Sequence, residues 1–229
     1  IIGAKSTAAT KAMKICNAAK EDCYQAYRNT MASIHLIDRA VGKIIDHLKK
    51  KNLYDDTIII FTSDHGDYLG DFDMLGKSDL PYHNLLHVPL MIKGSKDMKL
   101  PSVVDTPMSN ADVMPTILSM LGIEKPSSYI QGVDIFDEAS TNNMPMVTCY
   151  GVTGDERNIT IYDDTYRYTL YLDTKEEELY NHKDDPKELN NLVNNPSVDV
   201  RDICRTFKEK LFEKHIECDL GMFYHYALW

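Results

Sequence analysis

The spacing of apolar residues changes character several times along the chain, and each change predicts a different element. From about Glu21 to Lys51, the residues Tyr24, Tyr27, Met31, Ile34, Ile37, Val41, Ile44 and Leu48 recur at three- and four-residue steps. That places them on one stripe of a long helix. Lys49, Lys50 and Lys51 in its last turn suit the negative end of the helix dipole and read as a solvated basic end, with Asn52 closing the helix. The stretch TIIIFTSDHG follows at 57–66. Its apolar run Ile58–Phe61 has no alternation, which predicts a strand covered on both faces. Val88–Ile92 reads as a second buried strand with Pro89 near its start, where proline is tolerated. Asp112–Leu121 carries Val113, Ile117, Met120 and Leu121 on one side and ends at Gly122, a helix with a glycine stop. Helix, strand, loop, strand, helix is the order of an α/β sandwich.

After about Pro145 the pattern shortens. Met146–Tyr150, Asn158–Tyr162 and Tyr166–Leu172 are β-branched and aromatic with turn residues between them, predicting an antiparallel meander. The segment 178–192, ELYNHKDDPKELNNL, is polar with spaced leucines; Ser197–Ile216 returns to helical spacing. The aromatic end Gly221–Trp229 is expected to pack back on the body, and residues 1–18 to form loop or short helix. These textures divide the chain into 1–145, part of an α/β core, and 146–229, a smaller α+β subdomain. Tyr162, Tyr166, Tyr168 and Tyr171 read as meander packing rather than a sugar-stacking platform. The acids Asp173, Glu176, Glu177, Glu178, Asp184, Asp185 and Glu188 read most simply as a solvated face.

Composition narrows the classes of partner. The 229 residues suffice for one large domain or a main domain with a smaller one. A formal net charge of −10 argues against nucleic acid, whose phosphates require clustered Lys and Arg. It leaves room for an anionic substrate, since a bound cation reverses the sign of one pocket locally. No apolar run approaches the roughly 20 residues of a membrane helix. The five cysteines are scattered without a CxxC pair, which suits buried thiols and a reducing compartment. The start at Ile1-Ile2-Gly3, without Met or a signal pattern, leads us to expect residues upstream.

The candidate chemistry lies at 64–87. An adjacent Asp64 and His65 at the carboxyl end of a strand can both ligate a divalent ion if the turn splays them; the alternative is a polar turn with a satisfied histidine. Ligands collect at strand carboxyl ends in open α/β sheets. Thirteen positions after Asp64, Lys77 ends the glycine-bearing loop GDYLGDFDMLGK, from which its ammonium could act as a point charge on a tetrahedral oxyanion. The alternative there is a solvated surface lysine.

TIIIFTSDHGDYLGDFDMLGK, followed by LLHVPLMIKG, resembles the carboxyl-terminal half of sulfatases in the alkaline phosphatase superfamily. The resemblance extends in family order through IDRAVGKIIDHLKKKNLYDDT, SNADVMPTILSMLGIEKPSSYIQGVDIF and ELYNHKDDPKELNNL, most of 24–216. It implies part of an alkaline-phosphatase-like α/β/α sandwich with a small carboxyl-terminal antiparallel sheet plus helix. It implies Asp64 and His65 as metal ligands, and Lys77 as the contact to the sulfate or phosphate group and its leaving oxygen. His87, in HVP where many members have Arg, is either a substrate contact or a structural histidine. One departure is Phe72, where the family often has histidine. A larger one is the absence of any C/S-x-P-x-R nucleophile motif and of the upstream Asp-Asp metal pair. The implied cofactors are one divalent cation (Ca, with Mn, Zn or Mg as alternatives) and a formylglycine in an upstream half. The implied partners are a small-molecule sulfate or phosphate ester and that missing amino-terminal half. A phosphoester or phosphonate ester hydrolase, or a degenerate binding module, are the alternative functions on the same scaffold.

Overall fold

A computed structural model of the chain describes residues 5, 7, 10, 13–14, 17–124, 131–150 and 157–226, with no side-chain description at 141, 150 and 218–226. The aromatic terminus predicted to pack back, and most of 1–18, lie outside what it describes. The chain divides into two compact units, one of Thr10–Ser78 and Asn84–Leu100, the other of Ile1–Ala9, Asp79–His83 and Pro101–Trp229.

The long helix of the first unit is α1, Lys20–Lys50. Glu21 and Asp22 in its first turn and Lys49 and Lys50 in its last both complement the helix dipole. Asn52 takes a left-handed φ of 56° just past its end. Strand β1, Ile59–Thr62, pairs antiparallel with β2, Leu90–Lys93, so that Thr62 faces Leu90 and Ile59 faces Lys93. The short helix α2, His83–Leu86, precedes β2. The Lys93 ammonium ties the end of the sheet to the turn after α1 by donating to the carbonyls of Tyr54 (2.6 Å), Thr57 (3.0 Å) and Gly94 (2.9 Å).

Burial departs from the expectation. The β1 residues Ile59–Phe61 are only half-buried and Met91 of β2 is exposed. The α1 stripe is also open, with Tyr24 59% and Ile44 61% exposed. The spacing correctly identified these residues as apolar faces; within this chain nothing described covers them fully.

In the second unit, helix α3, Val113–Met120, continues from a 3₁₀ turn, Asn110–Asp112, that starts at a Ser109–Asp112 capping box. The buried Asp112 carboxylate accepts from the backbone N–H of Ser109 (2.7 Å) and of Val133 (2.8 Å), joining the helix start to the following loop. A four-stranded antiparallel sheet follows in the order β3 (Met146–Tyr150), β4 (Arg157–Tyr162), β5 (Tyr166–Tyr171), β6 (Glu177–Asn181). The fourth strand overlaps the start of the segment 178–192 read as polar with spaced leucines, where Leu179 alone marked the inner face.

Helix α4, Val198–Tyr226, covers one face of this sheet. There Ile159, Ile161, Tyr168, Leu170 and Leu179 pack with Phe207 and Leu211 of the helix. Strand alternation sends a different set to the opposite face: Asn158, Thr160, Arg167, Thr169, Glu178 and Tyr180, all buried. Arg167 lies between the rings of Tyr82 and Tyr180, with its guanidinium 5.1 and 4.9 Å from their centroids. Its Nε donates to Glu188 at 2.5 Å, and its Nη2 lies 4.0 Å from Glu178. Glu178 and Glu188 are therefore not part of a solvated acidic face, as their neighbours suggested. A buried carboxylate requires a cation or donors, and β5 supplies Arg167 directly beside β6. Tyr168 and Tyr171 are buried, in keeping with packing.

Candidate metal centre and substrate contact

The β1 strand ends at Thr62 and the chain turns at Ser63, whose hydroxyl donates to the carbonyl of His65 (2.8 Å). The turn is held from the other side by the N–H of Gly66 donating to the carbonyl of Leu85 in α2 (2.9 Å). Only glycine fits there: a Cβ on residue 66 would stand 1.8 Å from the Asn84 carbonyl oxygen. The close approach of two backbones thus determines where Asp64 and His65 project.

Their side chains converge. Asp64 Oδ2 lies 3.6 Å from His65 Nε2, and Lys77 Nζ lies 3.0 Å from the same nitrogen. The Asp64 carboxylate is 85% exposed and His65 40% exposed. The backbone N–H of His65 donates to Asp64 Oδ1 (3.0 Å), and this bond holds the Asp64 carboxyl below its ordinary pKa. His65 Nδ1 sits 2.7 Å from the Gly66 carbonyl oxygen. A carbonyl can only accept, so Nδ1 carries the proton; an ammonium can only donate, so Nε2 presents its lone pair to Lys77. That is the tautomer a metal-bound imidazole needs, oriented by a backbone carbonyl as such histidines commonly are.

The donor set fits a divalent cation as far as it goes. One carboxylate oxygen and one imidazole nitrogen 3.6 Å apart can share a cation, and a positive group, the Lys77 ammonium, already stands against the imidazole. The set is incomplete: among the described residues no group of three or more His, Cys, Asp or Glu side chains gathers as a metal site.

Lys77 reaches this point from a loop under unusual backbone constraint. Leu69, Phe72 and Asp73 all have left-handed φ values, 49°, 58° and 57°. Such conformations cost about 1 kcal/mol or more each in non-glycine residues and gather at functional sites. His87 is exposed and lies three residues before β2. Because Thr62 pairs with Leu90, this segment is at the same end of the sheet as Asp64. The sequence reading missed Tyr68, which is 1% exposed in the middle of this loop; a single aromatic in a glycine-rich segment carries no periodicity to flag it.

Comparison with known proteins identifies the family. The sulfatase family profile matches residues 4–123, and the profile for the carboxyl-terminal region of N-sulphoglucosamine sulphohydrolase matches 70–217. The chain belongs to the sulfatase family. This sulfatase-family chain is 32% identical over 182 residues to choline-sulfatase of Rhizobium meliloti, covering 77% of itself and 35% of that protein. It is 41% identical over 91 residues to the multifunctional alkaline phosphatase superfamily protein PehA of Trinickia caryophylli, covering 39% of itself and 18% of PehA. Among solved structures, the phosphonate monoester hydrolase of Agrobacterium radiobacter superposes with a TM-score of 0.64 at 25% identity, over 79% of this chain and 39% of that one. The fold is accordingly of the alkaline-phosphatase type, mixed α/β. The chain spans about a third of the length of choline-sulfatase. No described helix is long and apolar enough to cross a membrane.

Proposed function

We propose that this chain is the carboxyl-terminal part of a metal-dependent sulfuric ester hydrolase. It contributes Asp64 and His65 as two ligands of a divalent cation, Ca or alternatively Mn, Zn or Mg. Lys77 contacts the sulfate group and its leaving oxygen, and His87 contributes at the rim. The observation that carries this reading is the convergence of Asp64, the Nε2 lone pair of His65 and the Lys77 ammonium at the carboxyl end of β1. A bound cation would supply Lewis-acid polarisation of the ester oxygens. The residues of this chain have three further tasks. The Gly66 carbonyl holds the His65 proton on Nδ1, the Asp64 carboxylate stays ionised, and Lys77 offsets negative charge growing on the leaving oxygen.

The remaining ligands and the nucleophile, a formylglycine by the family resemblance, belong to an amino-terminal half outside these residues. The exposed α1 stripe and the half-covered strands support such a cover, because apolar faces of this length are ordinarily buried. On this reading the chain alone does not turn over substrate. Assay of the isolated chain on an aryl sulfate with added Ca²⁺ or Mn²⁺ tests it: turnover above a His65→Ala control would overturn the claim. Elemental analysis of the full-length protein tests the ligands, with metal lost in Asp64→Ala.

A second reading, hydrolysis of phosphate or phosphonate esters, is favoured by the Asp-His pair and by the likeness to a phosphonate monoester hydrolase. Rates on matched sulfate and phosphate esters separate the two.

A further inference from the structure

We propose that Tyr68 is the positioning residue for Lys77, setting where its ammonium stands and hence its contact with the reacting ester; this rests on the role given to Lys77 above. Lysine is a point charge on a four-carbon stem with many rotamers. Its location is decided by the backbone from which it springs. Tyr68 holds the chain on both sides of residue 77, through the Gly76 backbone and the Ser78 side chain. Its N–H donates to the carbonyl of Gly76 (3.0 Å), and its phenol oxygen is 3.2 Å from the Ser78 hydroxyl. The ring is 1% exposed and meets Phe72 edge to face, centroids 6.4 Å apart at 76°.

Around this anchor the loop folds on itself. The carbonyl of Tyr68 accepts from Asp71 N (2.9 Å), and Gly70 N donates to Met74 O (2.8 Å). Met74 is buried, and the Asn84 side chain donates to the Asp71 carboxylate. The left-handed residues Leu69, Phe72 and Asp73 persist only because neighbouring contacts over-determine them. Tyr68 is the contact that transmits this order to the far end of the loop, where Lys77 emerges. Lys77 itself is exposed and close to His65, so freeing one flank lets the ammonium drift without removing it.

The test uses Tyr68→Phe in the full-length enzyme. A displacement of about 1 Å can cost about 10²-fold, so loss of the phenol–Ser78 anchor is expected to lower kcat about tenfold with KM within about twofold. The loss should be larger for aryl sulfates with more basic leaving phenols, because Lys77 acts on leaving-group charge. Ser78→Ala should reproduce it, Ser78→Thr should restore near-native kcat, and Tyr68→Phe should add little in a Lys77→Ala background. An unchanged kcat in Tyr68→Phe, or a loss indifferent to the leaving group and to Lys77→Ala, would overturn the proposal. A second readout does not depend on activity. The rate of acetylation of Lys77 by acetic anhydride, followed by mass spectrometry, should change in Tyr68→Phe and Ser78→Ala and not in Ser78→Thr. Unchanged labelling in the first two overturns the positioning claim. Changed labelling with full activity in Lys77→Ala upholds the positioning and rejects the catalytic role of Lys77.

Discussion

Replacing Arg167 by Met removes the cation from a buried cluster and is the most informative perturbation of the fold. Arg167 is 2% exposed, and the carboxylates it serves, Glu178 and Glu188, are 0% and 1% exposed. Methionine keeps much of the stem and the packing between Tyr82 and Tyr180, so the loss is chiefly electrostatic. After the change, Glu188 retains the His83 N–H (2.8 Å) but loses its 2.5 Å guanidinium donor, and Glu178 loses its nearest guanidinium. Removing one partner of a buried ion pair costs about 3–5 kcal/mol, because the remaining charge stays desolvated. With a urea m-value of about 2 kcal/mol/M, the unfolding midpoint should fall by about 1.5–2.5 M. Urea titration followed by far-ultraviolet circular dichroism measures it. Glu188→Gln introduced into the Arg167→Met background should recover part of the loss, since a neutral amide needs no counter-charge. A midpoint shift below about 0.5 M, or no recovery in the double mutant, would refute the reasoning.

Three further outcomes follow from the geometry. Lys77→Ala in the full-length protein should lower kcat by about 10²–10³ with metal content unchanged, the usual loss for a preorganised donor; steady-state kinetics with elemental analysis checks it. Gly66→Ala places a Cβ 1.8 Å from the Asn84 carbonyl oxygen, so the turn bearing Asp64 and His65 must shift. Metal affinity should fall at least as far as when a metal ligand loses its orienting hydrogen bond, about 10–100-fold by competition with a chelator. At alkaline pH, burial raises the phenols of Tyr82, Tyr168 and Tyr180 above their ordinary value and pushes Tyr162 up to about 12. The folded state then holds protons that the unfolded chain releases above about pH 10, so this stability is present below pH 10 and lost as pH climbs further. Lys5, lowered by burial to about 8, acts oppositely between about pH 8 and 10. The phenolate absorbance of these four tyrosines should therefore appear together with unfolding; their ionisation near pH 10 in a protein still folded by circular dichroism would contradict it.

Periodicity and punctuation alone determined most of the elements. The α1 stripe, the runs Ile58–Phe61 and Val88–Ile92, the helix stopped by Gly122 and the first three strands of the meander all rest on local spacing, which short-range backbone geometry converts directly into helix or strand. The motif around Asp64, His65 and Lys77 was likewise readable, because a family signature is local in sequence. Tertiary structure decided what depends on distant neighbours. Nothing near Glu178 or Glu188 announces that both are buried, since their counter-charge, Arg167, lies on another strand. Likewise β6 is recognisable only once β5 offers it an edge. The tautomer of His65 follows from the carbonyl its ring meets, and the need for glycine at 66 follows from the approach of the Asn84 backbone. Burial, charge compensation and close approach are properties of pairs far apart in the chain, and the fold alone brings those pairs together.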